Sequence, residues 1–410
     1  MNVPEKPVAS RIAPLRWLLL SILILLAAGS LWQGVHNALT PGRSQDFQWS
    51  GTQMVVHHMD PWADYIAGDP AHQIVKVQIP NYLPLLYVLI WPLGLMSMSA
   101  ATAVWAACNA VFGVVSAFLC GRFYGLNGFW CGALVAMMLI STPMRNSVGN
   151  GQQSLLVLLV WVLALCRTPK VSSGLIAGFS YFKYSFAPPV FLLLLFRLGL
   201  GAVLLSLIPA LATLVFVYLW TGGSLLHPLG LLRMLFEPLK VAGSGYFGSP
   251  GSNLMDGLEL AMKGSHLGPA MMGGLEYGLP LAISAVLLYL IARKKSRMSW
   301  ELQIALMAVL SILLFKHHNY DNVVLLFPAA YAMRNIKAVA ARWALGFICY
   351  LWYGERLAQT ISRAWQWEFL LGITLLTLVG IFIARVPFAR AATDGLIASA
   401  DSQTGAGVPL

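Results

Sequence analysis

The sequence contains very few charged residues. Only 10% of its 410 residues are Asp, Glu, Lys or Arg, whereas roughly a quarter are charged in an ordinary soluble domain. It has 15 acids and five cysteines, and no two cysteines have C-x-x-C spacing. The low charge excludes an ordinary soluble domain, and the cysteine pattern argues against a disulfide scaffold or a zinc site.

In place of charge, the chain has 58% hydrophobic residues, arranged in long apolar runs with short polar connections. This pattern predicts an all-α polytopic membrane protein. A chain of this length has room for about twelve spans of roughly 20 residues each. Because no polar stretch is long enough for a separate soluble domain, we expect a single integral membrane domain over residues 1–410.

The basic residues orient the chain. Arg11 and Arg16 precede the first apolar run and place the N-terminus in the cytoplasm. The segment "NYLPLLYVLIWPLGLM" is short and interrupted by Pro84 and Pro92, so we expect it to lie at the outer interface or to re-enter the membrane. Most other basic residues and the C-terminus then fall on the cytoplasmic side. The net charge of +11 thus reflects membrane orientation and does not support nucleic-acid binding.

This layout predicts both spans and outer segments. After the first span, the predicted spans lie near residues 99–120, 128–142, 153–166, on both sides of Phe186, and near 199–220, 278–292, 301–315, 322–333, 341–354 and 366–384. The outer segments are residues 32–98 with juxtamembrane helices, 141–154, 221–277 and 316–322. Residues 386–410 form a cytoplasmic tail that we expect to be flexible.

The outer segments hold most of the polar side chains, which suggests an active site on that face. Asp46 is either a functional acid or a helix N-cap. Asp60 begins "DPW", and Asp before Pro is typical of the start of a turn. His57 and His58 have no acidic or cysteine partner at a metal-binding spacing, so we do not expect a zinc site.

Lys183 lies within an apolar run, in "YFKYSF". A lysine at that depth costs about 2.5–3.5 kcal/mol, so it should face a cavity or a partner; the alternative is snorkelling to an interface. Facing a cavity, it can clamp an anionic group of a substrate. His317 and His318 end a later span, with Asp321 close by, and an imidazole there can bind a phosphate or orient a carboxylate.

An ordered set of segments resembles glycosyltransferase family 87. The segments are "DF" (46–47), "DPW" (60–62), "NYLPLLYVLIWPLG" (81–94), "GQQSLLVLLV" (151–160), "GFSYFKYSFAPPVFLLLLFR" (178–197) and "HHNYDNVVLLFP" (317–328). The family belongs to the C-type membrane glycosyltransferases and includes polyprenol-phosphate-mannose-dependent α-mannosyltransferases. The chain departs from its pattern at Leu83, where a second proline is usual, and at Trp62, where a tyrosine is usual.

The resemblance implies a C-type fold and inverting transfer of a sugar from a polyprenyl-phosphate donor to a glycolipid or glycan acceptor. It implies an active site on the outer face of the inner (plasma) membrane, with no metal and no organic cofactor. Asp46 is then the general base. The donor phosphate is bound by Lys183, His317, His318 and Arg145. Further substrate contacts come from Tyr82, Gln152, Asn253, Tyr320 and Asp60.

Two alternatives from other classes remain open. A secondary transporter also has about twelve helices and an intramembrane lysine, but it usually has two repeated halves with interrupted helices at matching positions. Here the unusual segments, 82–97 and 173–197, both lie in the first half. A flippase or polymerase of lipid-linked oligosaccharides shares the lipid-phosphate substrate, and the sequence separates it only weakly from a transferase.

Overall fold

The regular elements that the structure describes are all helices. The computed structural model describes residues 8–40, 46–75, 78–245, 278–293, 298–315, 317–354, 374 and 377–380. Its α-helices are α1 Val8–Leu39, α2 Trp49–Val56, α3 Pro61–Ile66, α4 Pro84–Leu89, α5 Trp91–Gly94, α6 Met98–Phe123, α7 Gly128–Ile140, α8 Thr142–Gly149, α9 Ser154–Leu165, α10 Ser173–Gly178, α11 Ala187–Leu198, α12 Leu200–Trp220, α13 Leu229–Gly245, α14 Leu279–Arg293, α15 Trp300–Leu314, α16 Leu326–Arg334 and α17 Val339–Tyr353. Two 3₁₀ helices cover Tyr184–Phe186 and Asn319–Leu325.

Within these ranges, three helices are long and apolar enough to cross a membrane: α1 from Pro14, α6 and α12. A fourth span results if α7 and α8, bent by 55°, count as one. The spans predicted at 153–166, 278–292 and 301–315 are helices of 12, 15 and 15 residues. The helical, apolar character of the chain is confirmed, and the total of about twelve spans stays a prediction. The tail 386–410 and most of the span 366–384 lie outside the described residues.

Prolines start the short helices of the segment predicted to be broken. α4 begins at Pro84, and Pro92 lies in the first turn of α5. Proline is tolerated in a first turn because the amide hydrogen it lacks would have no partner within the helix. The segment is therefore two helices of six and four residues, as its short, interrupted pattern suggests.

Residues 142–149, predicted as part of a polar connection, form helix α8 instead. Ser141 is extended, and its Oγ accepts a hydrogen bond from the backbone N of Met144 at 3.2 Å, which caps the new helix. Pro143 lies in the first turn. The cap and the proline together start a helix at a bend of 55° from α7.

Close backbone packing holds α10 against α12. A Cβ atom added to Gly174 would lie 2.0 Å from the carbonyl oxygen of Ala202, and one added to Gly178 would lie 2.0 Å from that of Ser206. Small residues four apart on both helices allow this approach, as they do at many membrane helix contacts. Since α10 ends five residues before Lys183, this contact helps to position the lysine.

Arginines collect at the end of the bundle where α9, α11 and α16 finish. The Arg197 guanidinium lies 5.9 Å from the centre of the Trp300 ring, and Trp300 Nε1 donates to the Leu165 carbonyl at 2.8 Å. Arg334 pairs with Glu301 at 3.5 Å. The start of α15 is therefore at the same end as the C-termini of α9, α11 and α16. The other ends of these four helices point to the opposite side of the bundle.

Candidate active site

Lys183 is buried immediately before the first 3₁₀ helix. Its side chain is 9% exposed. Nζ donates to Ser154 Oγ at 2.9 Å and to Asp321 Oδ1, with which it forms a buried ion pair. The ring centres of Phe186 and Tyr320 lie 5.4 and 5.0 Å from Nζ. The expectation that this lysine has a partner is confirmed, and the snorkelling alternative is wrong.

The Asp321 carboxylate accepts hydrogen bonds from three separate parts of the chain. Lys183 and the Ser154 hydroxyl both donate to Oδ1. On the other oxygen, Oδ2, the Nδ1 of His317 lies at 3.0 Å and the backbone N of His318 at 3.3 Å. Asp321 therefore ties the start of α9 and the segment before α11 to the second 3₁₀ helix.

Burial and pairing set the charges of this cluster. Burial alone raises the pKa of the Asp321 carboxyl, but the charge of Lys183 and the hydrogen bond from His317 outweigh it, so the pKa lies well below its usual range. Burial also lowers the pKa of His317, and the neighbouring Asp321 opposes this effect only in part. At neutral pH the Asp321 carboxyl is therefore ionised and the His317 imidazole is neutral.

Asp46 is half-buried and lies just before α2. Gln152 Nε2 donates to its Oδ2. Its backbone N donates to the Asn150 carbonyl at 3.0 Å, and its own carbonyl accepts from Gln153 Nε2 at 2.8 Å. The residue at the N-cap of α2 is Gln48, without a capping side-chain hydrogen bond. The alternative that Asp46 is a helix cap is therefore wrong.

One tight turn connects Asp46 to the lysine cluster. Gly151 has a φ of +70°, in the left-handed region that favours glycine. The next residue, Gln152, contacts the Asp46 carboxylate. Two positions later, Ser154 bonds to both members of the buried ion pair and begins α9. The candidate base and the cluster around Lys183 are thus held by side chains only two positions apart.

Arg145 and Tyr320 lie on neighbouring elements. Arg145 is half-buried on α8, with its Nη2 at 3.4 Å from Thr142 Oγ1. Ser147, on the same helix, donates its hydroxyl to the Tyr320 carbonyl at 3.2 Å, so α8 packs against the second 3₁₀ helix. The ring centres of Tyr320 and His318 are 5.2 Å apart. Arg145 and Tyr320, which come from distant segments of the chain, therefore lie on two elements that are in contact.

Tyr82 and Asp60 lie in the segment 32–98, which the sequence predicts to be on the outer side. The Tyr82 ring is 6.4 Å from that of Phe182, and its carbonyl accepts from Trp62 Nε1 at 3.1 Å. The Asp60 carboxylate caps α3 by accepting from the backbone N of Trp62 and of Ala63, both at 3.0 Å. Burial raises the pKa of Asp60, and these two bonds oppose the rise. Asp60 therefore has a structural role, as expected, but it caps a helix rather than starting a turn.

A model of Glycosyltransferase family 87 matches residues 81–316, more than half of the chain. The chain belongs to glycosyltransferase family 87. It is therefore a membrane glycosyltransferase, and the transporter and flippase alternatives do not apply. No curated protein and no solved structure matches the chain significantly.

The family match covers only part of this glycosyltransferase's candidate site. Tyr82, Arg145, Gln152 and Lys183 lie within the matched residues. Asp46, Asp60 and the second 3₁₀ helix lie outside them. The grouping of Asp46 with Gln152, and of Asp321 with Lys183, therefore comes from the structure.

The candidate residues of this glycosyltransferase divide by exposure. The buried side chains are those of Tyr82, Gln152, Lys183, His317 and Asp321. The half-buried ones are those of Asp46, Asp60, Arg145, His318 and Tyr320. The half-buried group has surface that a substrate can reach.

An apolar groove of about 420 Å³ runs along α9 of the glycosyltransferase, beside α4 and α10. Leu156, Val160 and Leu163 line it from α9, and Arg167 lies at its far end. These residues lie on the face of α9 opposite Ser154, and the groove runs along the helix toward the arginine-rich end.

Two residues of the candidate site received no role from the sequence, Asp321, which was noted only as a neighbour of the histidines, and Ser154. Asp321 follows His317 by four residues, a spacing that places it near the histidine, but no local pattern connects it with Lys183. Ser154 stands at the end of "GQQS", in the motif already noted. The predicted contact residue Asn253 lies outside the described residues.

Proposed function

We propose that this glycosyltransferase moves a hexose, with mannose as the first candidate, from a polyprenyl-phosphate donor to a glycolipid or glycan acceptor. Transfer proceeds with inversion at the sugar carbon. The observation that carries the proposal is the contact of half-buried Asp46 with Gln152, two positions from the serine that binds the Lys183–Asp321 pair. A candidate base next to a cationic group is what this reaction requires.

Asp46 is the general base in this mechanism. The acceptor hydroxyl oxygen forms a bond to the anomeric carbon while the bond from that carbon to the phosphate oxygen breaks. The acceptor proton moves to Asp46, and the electron pair of the broken bond stays on the departing polyprenyl phosphate. One displacement inverts the anomeric centre, so a single carboxylate suffices, with cations or hydrogen-bond donors to stabilise the phosphate.

The donor phosphate binds beside the basic residues of the site. Arg145 and His318 are half-buried and can reach a ligand from the surface, whereas His317 is fully buried and supports the site from behind. The Lys183 ammonium, although paired with Asp321, can donate its third hydrogen to the phosphate from the buried side. Arg145 and these hydrogen-bond donors stabilise the departing phosphate, and the proposed reaction requires no metal ion. Contacts to the sugars are assigned to Tyr82, Gln152, Asn253 and Tyr320. Asp60, whose carboxylate caps α3, is not assigned one.

The groove along α9 supports a lipid-linked donor. Its lining is almost entirely aliphatic or aromatic, which suits a hydrocarbon chain. It runs along the face of α9 that points away from Ser154, and Ser154 at the start of that helix contacts Lys183. We assign the donor's hydrocarbon chain to this groove, with its phosphate at the end of α9 where Ser154 lies.

The distribution of arginines supports an outer active site. Arg167, Arg197 and Arg334 lie at the end of the bundle opposite the site, and basic residues are retained on the cytoplasmic side of membrane proteins. We therefore place the protein in the inner (plasma) membrane as a multi-pass protein with both termini in the cytoplasm. The site then opens to the periplasmic or extracytoplasmic side.

A transfer assay tests the proposed reaction. Purified protein in detergent is supplied with radiolabelled polyprenyl-phosphate mannose and an extract of envelope glycolipids, and the anomeric configuration of the product is determined. We expect label in a lipid or glycan product with the configuration opposite to that of the donor. Retention of configuration contradicts the single displacement, and transfer from a nucleotide sugar alone contradicts the lipid-linked donor.

A further inference from the structure

We propose that Asp321 is a positioning residue of the transfer reaction, which holds Lys183 and His317 in place around the donor phosphate site. This inference rests on the proposed function for its substrate. It assigns a role to a residue that lies outside the segment matched by the family.

The hydrogen bonds of Asp321 indicate support of the site rather than contact with substrate. A carboxylate offers about four acceptor positions on its two oxygens. Within the described residues, Ser154 and Lys183 use Oδ1, and His317 and the backbone of His318 use Oδ2. The side chain is also 2% exposed. The carboxylate therefore has no acceptor position left for an acceptor sugar, and Asp321 acts through its neighbours.

For Lys183, Asp321 sets the direction of the ammonium group. An ammonium has three donors. Among the described residues, Ser154 Oγ at 2.9 Å and Asp321 account for two of them. The rings of Phe186 and Tyr320 flank Nζ. Two fixed bonds and two rings leave one direction for the third hydrogen, which we assign to a phosphate oxygen of the donor.

For His317, Asp321 selects the tautomer. Its Oδ2 lies 3.0 Å from Nδ1, so the neutral ring carries its proton on Nδ1 and Nε2 is the acceptor. Nε2 lies 3.5 Å from the Ser311 hydroxyl, and the ring packs against Phe186 at 4.2 Å between ring centres. His317 is thereby held against Phe186, the ring that flanks the Lys183 ammonium.

Substitution of Asp321 distinguishes a positioning role from an effect on protein stability alone. Asp321→Asn keeps the shape but removes the charge and the ability to accept from both Lys183 and His317 on separate oxygens. Donor KM should rise about tenfold or more, the equivalent of losing a hydrogen bond to a charged group, with a smaller change in kcat. Asp321→Glu should recover part of this loss. An unchanged donor KM in Asp321→Asn overturns the inference.

The matched control is Glu237→Gln. Glu237 is also 2% exposed and pairs with a basic residue, Arg233, four positions away on α13. Loss of this ion pair, in which Glu237 is buried and Arg233 is exposed, should leave donor KM unchanged. An equal rise in donor KM in both variants shows a general effect of stability and overturns the positioning role.

If Asp321→Asn cannot be recovered as folded protein, a second variant tests the same arrangement. Ser154→Ala removes the hydroxyl that bonds to both Lys183 and Asp321, and we expect donor KM to rise about two- to tenfold.

A second readout does not depend on the donor. Deuterium exchange at the C2 atom of each histidine ring, followed by mass spectrometry, measures the pKa of His317. Because Asp321 raises that pKa, Asp321→Asn should lower it further. An unchanged value overturns the inference whatever the activity. A lowered value in a protein that does not use polyprenyl-phosphate mannose overturns the proposed donor and leaves the arrangement of Asp321 with His317 standing.

Discussion

Lys183 and Asp321, 138 residues apart in the chain, form an ion pair that is almost fully buried. Each charge is costly in an apolar environment without the other. The pair explains how a lysine is retained inside an apolar run. It also connects the segment between α10 and α11 with the second 3₁₀ helix, the two parts of the chain that surround the proposed phosphate site.

Removal of one partner should cost more than removal of both. We expect Lys183→Met to reduce the free energy of unfolding by about 3–5 kcal/mol, because it leaves a buried carboxylate without its cation. The double variant Lys183→Met/Asp321→Leu should lose less, since two apolar side chains can pack in the same space. Unfolding in mild detergent, followed by circular dichroism, measures both. Strictly additive losses contradict a direct pair.

The proposed phosphate contact predicts a kinetic effect at the same position. Lys183→Ala should raise the apparent KM for the polyprenyl-phosphate donor, because a charge near the phosphate is lost, and should leave the KM for the acceptor nearly unchanged. Initial rates at varied donor and varied acceptor concentrations separate the two. Unchanged donor kinetics would remove Lys183 from the phosphate site.

The contact between α10 and α12 should tolerate no added methyl group. Gly178→Ala places a Cβ 2.0 Å from the Ser206 carbonyl oxygen, which forces the two backbones apart. We expect a loss of about 1–3 kcal/mol or more, seen as a lower thermal midpoint. Gly346→Ala is the control, since a Cβ there meets nothing within 4 Å and the position is inside helix α17. Equal midpoints in the two variants would argue against the close packing.

The turn at Gly151 should affect activity beyond stability. Gly151→Ala forces an alanine into a φ of +70° and should cost about 1–2 kcal/mol. Gly125→Ala imposes the same φ, in open space at the end of α6. We expect similar thermal midpoints for the two variants but a lower kcat only for Gly151→Ala, because its turn holds Gln152 against Asp46. Equal kcat values in the two variants would show that the turn at Gly151 does not affect the transfer step.

Local sequence patterns predicted the features that depend on neighbouring residues. The apolar runs indicated helices, and Asp before Pro at Asp60 indicated a structural role, which in the structure is that of a helix cap. The cost of burying Lys183 required a partner, and one is present. Each of these expectations follows from composition or from spacing within a few residues.

Features that depend on distant residues were not predictable in the same way. Lys183 and Asp321 are too far apart in the chain for any local spacing pattern to connect them, so only the fold identifies the partner of the lysine. At Ser141, a serine followed by Thr-Pro is equally compatible with a loop and with a helix start, and the structure shows a helix. The choice there depends on how α8 packs against α1 and the second 3₁₀ helix.

The most direct test of the account is the transfer rate of Asp46→Asn against Asp60→Asn, both measured with radiolabelled polyprenyl-phosphate mannose and the envelope extract. The two acids lie in the same outer segment, but Asp60 caps a helix whereas Asp46 is half-buried beside Gln152. We predict that Asp46→Asn loses at least about 100-fold in kcat, in line with the loss of a general base, and that Asp60→Asn retains most of its activity. Near wild-type transfer by Asp46→Asn together with loss of transfer by Asp60→Asn would contradict the account.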